Sequence, residues 1–233
     1  MSMLGPYASY NKRTGYATWD HPTAEYVGIF ERINVGIKGI IHVGLWDLAE
    51  KDCYTKLVGT KVIGVEANPQ VFEQMSKPVA DERGYTIFNE CLCDVDGAEM
   101  KFYLAGHGSS LHRGPAQWGK NESITVKTKT LATMMDENEL DPTEYDFLNI
   151  DAEGSELDIL KGYERYLENV NVIDLETSID DRHLSGCSHN AIVEWLGQRG
   201  FKLREASSDS YQREGWGDAV FVRFDKELPE YTD

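Results

Sequence analysis

The chain has 233 residues, room for one large domain, and at 41% hydrophobic and 11% aromatic it can bury a proper core. Its 23 basic and 40 acidic residues give a formal charge of −17, a field that repels phosphate backbones and anionic membranes and argues against a nucleic-acid partner. No apolar stretch approaches the roughly 20 residues of a membrane span. The N-terminal "MSMLGPYASYNKRTGYATWDHP" lacks the apolar run and cleavage site of a secretory signal, which points to a cytoplasmic protein.

Residues 1–35 read as an extended arm, rich in glycine, tyrosine and proline, that ends in a helix. Tyr26, Ile29, Phe30 and Ile33 fall at i, i+3, i+4 and i+7, one apolar helix face. "GIIHVG" follows as a buried strand ending at Gly44, then a short helix over 49–58 closed by Gly59. "KVIGVE" (61–66) predicts a second buried strand, and "ANPQVFEQM" a helix that Asn68 caps and Pro69 starts. "YTIFNECLC" (85–93) predicts a third strand and "DVDG" a turn.

"AEMKFYLA" and "ESITVKTKTL" are strand-like, separated by "GHGSSLHRGPAQWGKN", a glycine- and serine-rich loop suited to facing a substrate. A helix near "LATMMDENEL" precedes "YDFLNI" (145–150), a fourth buried strand, and "DAEGSELDILKGYERYLE" turns into a helix carrying Leu157, Leu160 and Leu167. "VNVIDLE" (170–176) is a fifth strand, and a helix over "HNAIVEWLGQRG" leads to two last strands in "FKLREAS" and "GDAVFVRF". Strands alternating with helices imply one doubly wound, mostly parallel α/β sheet. The final pair has no helical crossover, so it pairs antiparallel near one edge. One domain over 36–226 with a tail at 227–233 accounts for the rest.

The four cysteines, Cys53, Cys91, Cys93 and Cys187, form no CxxC pair. They read as buried free thiols in a reducing compartment, with no zinc site. Asp180, Asp181, His183 and His189, or Asp151 with Glu176, lack the spacing of a recognised metal motif, so no metal is expected.

In open α/β sheets ligands bind beyond the carboxyl ends of the strands. Those ends carry Gly44, Glu66, Asn89 to Cys93, Asp151 and Glu176. Glu66 lies 22 positions past Gly44 (66 − 44), close to the spacing of about 20 at which a carboxylate accepts hydrogen bonds from ribose hydroxyls. Asp151 and Glu153 sit in a turn before Gly154, where a carboxylate pair can orient a substrate or steady a cation. Glu156 reads instead as a charge complementing the start of the next helix.

Taken together, "IIHVG", "KVIGVEANP", "NECLCDVDGAEMKFYLA" with "GSSL", and above all "DFLNIDAEGSELDILKG" resemble the FkbM family of S-adenosylmethionine-dependent methyltransferases, from about Gly39 to Phe224. The resemblance implies the class I methyltransferase fold, a Rossmann-like seven-stranded sheet with an antiparallel C-terminal strand. It also implies S-adenosylmethionine as methyl donor and a hydroxyl acceptor on a sugar, glycan or small metabolite. By position, Gly44 would lie under the methionine end and Glu66 would hold the ribose, with His42, Ala67 and Asn68 beside them. Asn89 and Cys91 would lie near the adenine and Asp94 just beyond. Asp151 and Glu153 would face the acceptor and the sulfonium. Asp151 and His183, the latter in "IDDRHLSGCSH", are the candidate bases.

Family members commonly show a second glycine soon after the first, in a pattern like H-V-G-A-H-x-G-E-E. Here Leu45, Trp46 and Leu48 stand in that stretch, Leu48 at the glycine, and only Glu50 keeps the acidic end. Bulk there narrows the pocket unless the loop runs differently, and a leucine held at positive φ is strained. This altered loop supports a second reading, a methyltransferase-like binding or assembly module without activity. The aromatic arm (Tyr7, Tyr10, Tyr16, Trp19) suits such an interface, including one between copies of the chain. A nucleotide-dependent oxidoreductase is disfavoured because "GLWDLA" lacks G-x-G-x-x-G.

Overall fold

The computed structural model describes residues 8–10, 17–19, 26–105, 108–112, 122–178, 188–206 and 215–232. In chain order the strands of its main sheet are β1 (Ala8–Tyr10), β2 (Ala17–Trp19), β3 (Ile40–Val43), β4 (Val62–Val65), β5 (Thr86–Phe88), β9 (Phe147–Ile150), β10 (Val172–Ser178), β11 (Phe201–Ala206) and β12 (Trp216–Arg223). Their spatial order is β1-β2-β11-β12-β10-β9-β3-β4-β5. The run β5-β4-β3-β9-β10 is parallel, and β12 is antiparallel to both β10 and β11. This is the expected seven-stranded class I arrangement with its antiparallel closing strand. Two additions come from the arm: β1 and β2 form an antiparallel hairpin, and β2 joins the edge at Ala17↔Glu205.

A smaller sheet, β6-β8-β7, stands apart from the main one, built from β6 (Cys91–Leu92), β7 (Glu99–Tyr103) and β8 (Ser123–Lys129). The single strand expected over 85–93 is therefore two. The break falls at Asn89, whose side-chain amide leaves its own strand and donates to the carbonyls of Glu66 (2.7 Å) and Ala67 (3.4 Å). The chain then turns away, and β6 pairs with β8 instead.

Helices cover both faces, because parallel strands buried on two sides need two apolar layers. Ile41, Val43, Leu148, Ile150, Ile173 and Leu175 pack on α5 (Leu131–Glu137), α6 (Glu156–Gly162) and α7 (His189–Gly197). On the opposite face Ile40, Val62, Phe147 and Val172 meet α1 (Tyr26–Ile33), α2 (Lys51–Val58) and α4 (Lys77–Arg83). Phe147 is edge-on to both Tyr26 (5.3 Å) and Phe30 (5.0 Å). Such pairs are worth about 0.5–1.5 kcal/mol each beyond buried area.

Two helices are interrupted where a single one was expected. After β4, the Asn68 side chain accepts from the amides of Gln70 and Val71 and caps α3 (Pro69–Val71). A π-helical turn over Phe72–Ser76 then leads into α4. Pro78 has no amide to give the carbonyl four residues back, which accounts for the widened turn before it. After β9, α6 ends at Gly162, where a side chain would sit 2.3 Å from the Cys93 carbonyl oxygen, and a 3-10 turn over Glu164–Asn169 continues. Beyond β12 the chain lies against the domain: the Gly36 amide donates to the Pro229 carbonyl at 2.8 Å, and Leu228 and Tyr231 pack on the second core. Among the described residues no helix is long and apolar enough to cross a membrane.

Candidate functional site

A cavity of about 190 Å3 opens where β3, β4 and β9 end. Strand register explains why these residues meet. His42 pairs with Gly64 on one side and Asn149 on the other, so Gly44, Glu66 and Asp151, each two residues further on, come level at the rim. Gly44 holds φ at +90°, and a β-carbon there would lie 1.7 Å from the Asp151 carbonyl oxygen. That close approach, rather than room for a ligand, is what requires glycine at this position.

The loop after β3 takes a left-handed backbone at two non-glycine positions. Trp46 and Leu48 both have positive φ, 44° and 53°. Leu48 thus keeps the left-handed backbone at the position of the family's glycine, a conformation that costs a leucine about 1–2 kcal/mol. Its side chain is fully buried in the second core, away from the cavity. Leu45 does line the cavity, and its methyl groups fill the space a side chain on Gly64 would take. Of the three bulky residues, Leu45 and Trp46 line the cavity and Leu48 does not.

Glu66 is buried at the end of β4, and its two carboxylate oxygens accept from the Trp46 amide (3.1 Å) and the Asn68 amide (2.7 Å). It therefore ties the β3 loop to the β4 loop. Burial raises its carboxyl, and the backbone donors of Asn68 and Trp46 oppose that rise. Ala67 and Cys91 also line the cavity, the Cys91 thiol pushed up to about 12 by burial. Asn68 and Asn89 are not lining residues; they brace the site, Asn68 reaching Ser109 at 3.3 Å. Asp94 also lies off the cavity, where it accepts from the Cys93 thiol at 3.4 Å.

The turn after β9 is built around Glu156. Its fully buried carboxylate accepts from the amides of Ala152 (3.0 Å) and Gly154 (3.1 Å). So Glu156 does more than complement a helix start: it shapes the turn that carries Asp151 and Glu153. Glu153 has φ of 53°, and its carbonyl accepts from the Ser110 hydroxyl at 2.6 Å, which pins part of the insert loop over the cavity.

Carboxylates dominate the walls. The charged lining residues are Asp47, Glu50, Glu66, Glu90, Asp151 and Glu153, with no lysine or arginine among the described ones. Glu90 is paired with Lys129 at 2.6 Å. Asp151, Glu153 and Glu176 bring carboxylate oxygens within 4.8 Å of one another. The Asp151 side chain is exposed where it lines the cavity. Desolvation first, then the charge of Glu153, raises its carboxyl well above the usual range. Desolvation followed by the charge of Asp151 does the same to Glu176, while Glu153 is pushed up to about 7 by burial and then by Glu156. Burial also lifts Glu50 to about 7. Glu153 and Glu50, both at about 7, therefore exchange protons close to neutrality.

Behind the walls lies a polar layer. The Asn149 side-chain amide donates to the Tyr54 hydroxyl (2.7 Å), which lies 3.2 Å from Nδ1 of His42, and the Tyr26 hydroxyl donates to Asp174 (2.7 Å). Only His42 of this layer lines the cavity. Asn149 is legible as the one amide in the buried run "FLNI", but Tyr54 looks like any core aromatic on a helix face. His183 lies outside the described residues, as do Asp180 and Asp181. His189 starts α7 away from this cavity, 2.9 Å from the Thr177 hydroxyl.

No curated protein matches the chain by sequence. Among solved structures it is similar to a methyltransferase FkbM from Methylobacillus flagellatus, with TM-score 0.49 and 16% identity over 79% of this chain, but only 43% of that one. It is also similar to the magnesium protoporphyrin IX methyltransferase of Synechocystis, solved with bound S-adenosylmethionine (TM-score 0.48, 11% identity, 84% and 74% of the two chains). A third is TrmK of M. capricolum, in complex with S-adenosylhomocysteine (TM-score 0.49, 9% identity, 91% and 73%). Residues 34–203 match the Methyltransferase FkbM domain family. That match spans β3 through the first half of β11 and takes in both the Glu66 strand and the Asp151 turn, so the chain belongs to the FkbM methyltransferase domain family.

Proposed function

We propose that the protein transfers a methyl group from S-adenosylmethionine to a hydroxyl of a sugar or other small metabolite. The observation that carries this reading is the acid-lined cavity at the carboxyl ends of β3, β4 and β9, with Glu66 at ribose-binding spacing from Gly44. The donor set fits that cofactor: carboxylates suit an ammonium and a sulfonium, and Glu66 retains lone pairs for ribose hydroxyls after accepting its two amides. When bound, S-adenosylmethionine supplies an electrophilic methyl group on a cationic sulfur.

The protein's own task is positioning and proton removal. Ser110 and Glu156 fix the turn that presents Asp151 and Glu153. Placing an acceptor oxygen at about 3–3.5 Å from the reacting carbon supplies much of the rate. Glu153, with its carboxyl near 7, and Asp151 beside it take the hydroxyl proton as the bond forms. The acidic walls also disfavour an acceptor with a phosphate backbone.

Titration calorimetry with S-adenosylmethionine and S-adenosylhomocysteine, on wild-type protein and on Glu66→Ala, tests the cofactor. Micromolar binding lost in a folded variant supports the reading; no binding to folded wild-type protein overturns it in favour of a module without activity. Transfer of a labelled methyl group to a panel of sugars and hydroxylated metabolites, run beside amines, tests the acceptor. Labelling of amines alone overturns the hydroxyl assignment.

A further inference from the structure

β11 is an edge strand over most of its length. Its inner side pairs with β12 from Phe201 to Ala206, while its outer side meets β2 at one position, Ala17↔Glu205. Among the described residues no strand pairs with the outer side over 201–203. An edge strand turns every second amide and carbonyl outward, where another strand can pair with them.

A groove of about 770 Å3 runs along this edge. It takes residues from both faces of the sheet. Val193 of α7, Phe201 and Leu203 belong to the core on one face, and Ile33 of α1, with Arg32 beside it, lies on the other. The groove therefore straddles the strand edge. Its charge is opposite to that of the acidic cavity: Arg32, Lys202 and Arg204 line it, and Glu205, its one acidic residue among the described ones, is buried 3.5 Å from Arg32. Lys202 and Arg204 are exposed, and neither has an ion pair among the described residues. Lys202 stands instead over the Phe224 ring at 5.8 Å. A chain with 40 acidic and 23 basic residues thus keeps two unpaired cations on one strand edge.

The alternation of β11 sets what an added strand would meet. One side of that strand would face the half-buried Val193 and Leu203, and the other the cations Lys202 and Arg32. Arg204 is the extra residue of a bulge between the pairs Leu203↔Phe221 and Glu205↔Val220, which ends regular pairing toward the rim. A second copy of the chain fits this edge badly. Two β11 edges paired antiparallel about Leu203 would set Lys202 of each against Arg204 of the other, and like charges directly opposite are destabilising.

We propose that the outer edge of β11 is a docking site for an extended acidic segment of a partner protein, which adds as a short strand beside 201–203 with alternating apolar and acidic side chains. Main-chain hydrogen bonds supply the affinity, and the cations select the partner. β12 and β10 separate this edge from the strands around the acidic cavity, so the groove can be filled whether or not a methyl donor binds.

The probe is a fluorescent six-residue peptide of alternating valine and glutamate, titrated with the full chain and followed by anisotropy. Wild-type protein should bind it with a Kd of about 100 μM or below, weakening as salt is raised. The same peptide with lysine in place of glutamate should bind at least about tenfold more weakly. Lys202→Glu with Arg204→Glu, two exposed substitutions whose folding a melting curve checks, should reverse that preference. Methylating two adjacent backbone amides of the peptide removes pairing from both of its edges and should cost about tenfold or more. No binding of the acidic peptide, or equal binding of the lysine peptide, overturns the proposal. Binding that the folded double variant leaves unchanged places the peptide elsewhere and overturns it too, and binding that survives methylation overturns strand addition. Sedimentation of wild-type protein that shows a dimer altered by the double substitution would assign this edge to a second copy instead.

Discussion

A β-carbon added to Gly44 would lie 1.7 Å from the carbonyl oxygen of Asp151, so the tip of β3 and the turn after β9 touch backbone to backbone. Hydrogen bonds hold the same rim: the Asp151 amide donates to the Val43 carbonyl at 2.9 Å, and the Gly44 amide donates to the Val65 carbonyl of β4 at 2.8 Å. Glu66, Asp151 and Gly44 thus keep their level at the rim through main-chain contacts, before any ligand arrives.

Gly44→Ala is expected to damage fold and site together. No rotamer change relieves an overlap with backbone, and φ of +90° is strained for alanine. The two effects should cost about 3 kcal/mol or more, a fall of roughly 6–12 °C in Tm for a domain of this size. S-adenosylhomocysteine affinity should drop by more than about tenfold, because Asp151 must move. Gly59→Ala is the control, since it has positive φ but nothing within 4 Å of the added carbon. It should cost only about 1 kcal/mol and leave affinity unchanged. Thermal melts and calorimetry on the two variants separate strain from collision.

The parts of this architecture that were legible in the sequence are those written in short range. "GIIHVG", "KVIGVE" and "YDFLNI" are apolar runs with polar or glycine ends, and β3, β4 and β9 fall inside them. What could not be read depends on contacts across the chain. The strand over 85–93 breaks because Asn89 bonds to carbonyls 22 and 23 residues away. The β1–β2 hairpin meets the sheet at the edge of β11, a pairing between Ala17 and Glu205 far apart in sequence. Glu156 reads as an ordinary helix-start acid until the turn folds back over it. Leu48 was legible as an anomaly, but the direction of its side chain was not.

Leu48→Gly pits two effects against each other. Glycine removes the strain of a left-handed leucine, about 1–2 kcal/mol. It also empties a fully buried leucine site, which costs about 2–5 kcal/mol, and adds about 0.5–1 kcal/mol of backbone entropy loss. Burial wins, so the variant that restores the family's glycine should be less stable by about 2–3 kcal/mol. Leu48 does not line the cavity, and S-adenosylhomocysteine affinity should stay within about twofold. An increase in Tm would show that strain outweighs burial at Leu48, and a large gain in affinity would show that the leucine obstructs the site after all.

Glu156→Gln tests the turn that carries the two acidic site residues. One oxygen becomes an amide nitrogen facing the donors of Ala152 and Gly154, and a buried unmet donor costs about 1–3 kcal/mol. Removing this negative charge also removes one of the causes that raise Glu153. The Glu153 carboxyl should therefore titrate lower than about 7 in the variant. Carbon-13 shifts of the glutamate carboxyls against pH read this directly, and an unmoved Glu153 would refute the coupling.

The raised carboxyls make stability and cofactor affinity respond to pH in opposite directions. Glu153 ionises near its ordinary 4.5 when unfolded but at about 7 when folded, so between those values the folded state binds more protons. Stability from this group is greatest at the acid end of that window, falls as pH rises toward 7, and levels off above it. Glu50, also at about 7, adds to the same slope. Wild-type Tm should therefore rise relative to Glu153→Gln as the buffer goes from about pH 8 to about pH 6. Protonation over the same interval strips negative charge from the walls facing the sulfonium. The affinity ratio of S-adenosylmethionine to S-adenosylhomocysteine should then fall by about fivefold, since the two ligands differ in charge at sulfur. Glu153→Gln should start near the low ratio and vary less with pH. Melting curves and calorimetry across one pH series check both halves. A ratio independent of pH would place the sulfonium away from Glu153, whereas a Tm difference between wild type and Glu153→Gln that does not change with pH would mean that Glu153 ionises in the folded protein as it does in water.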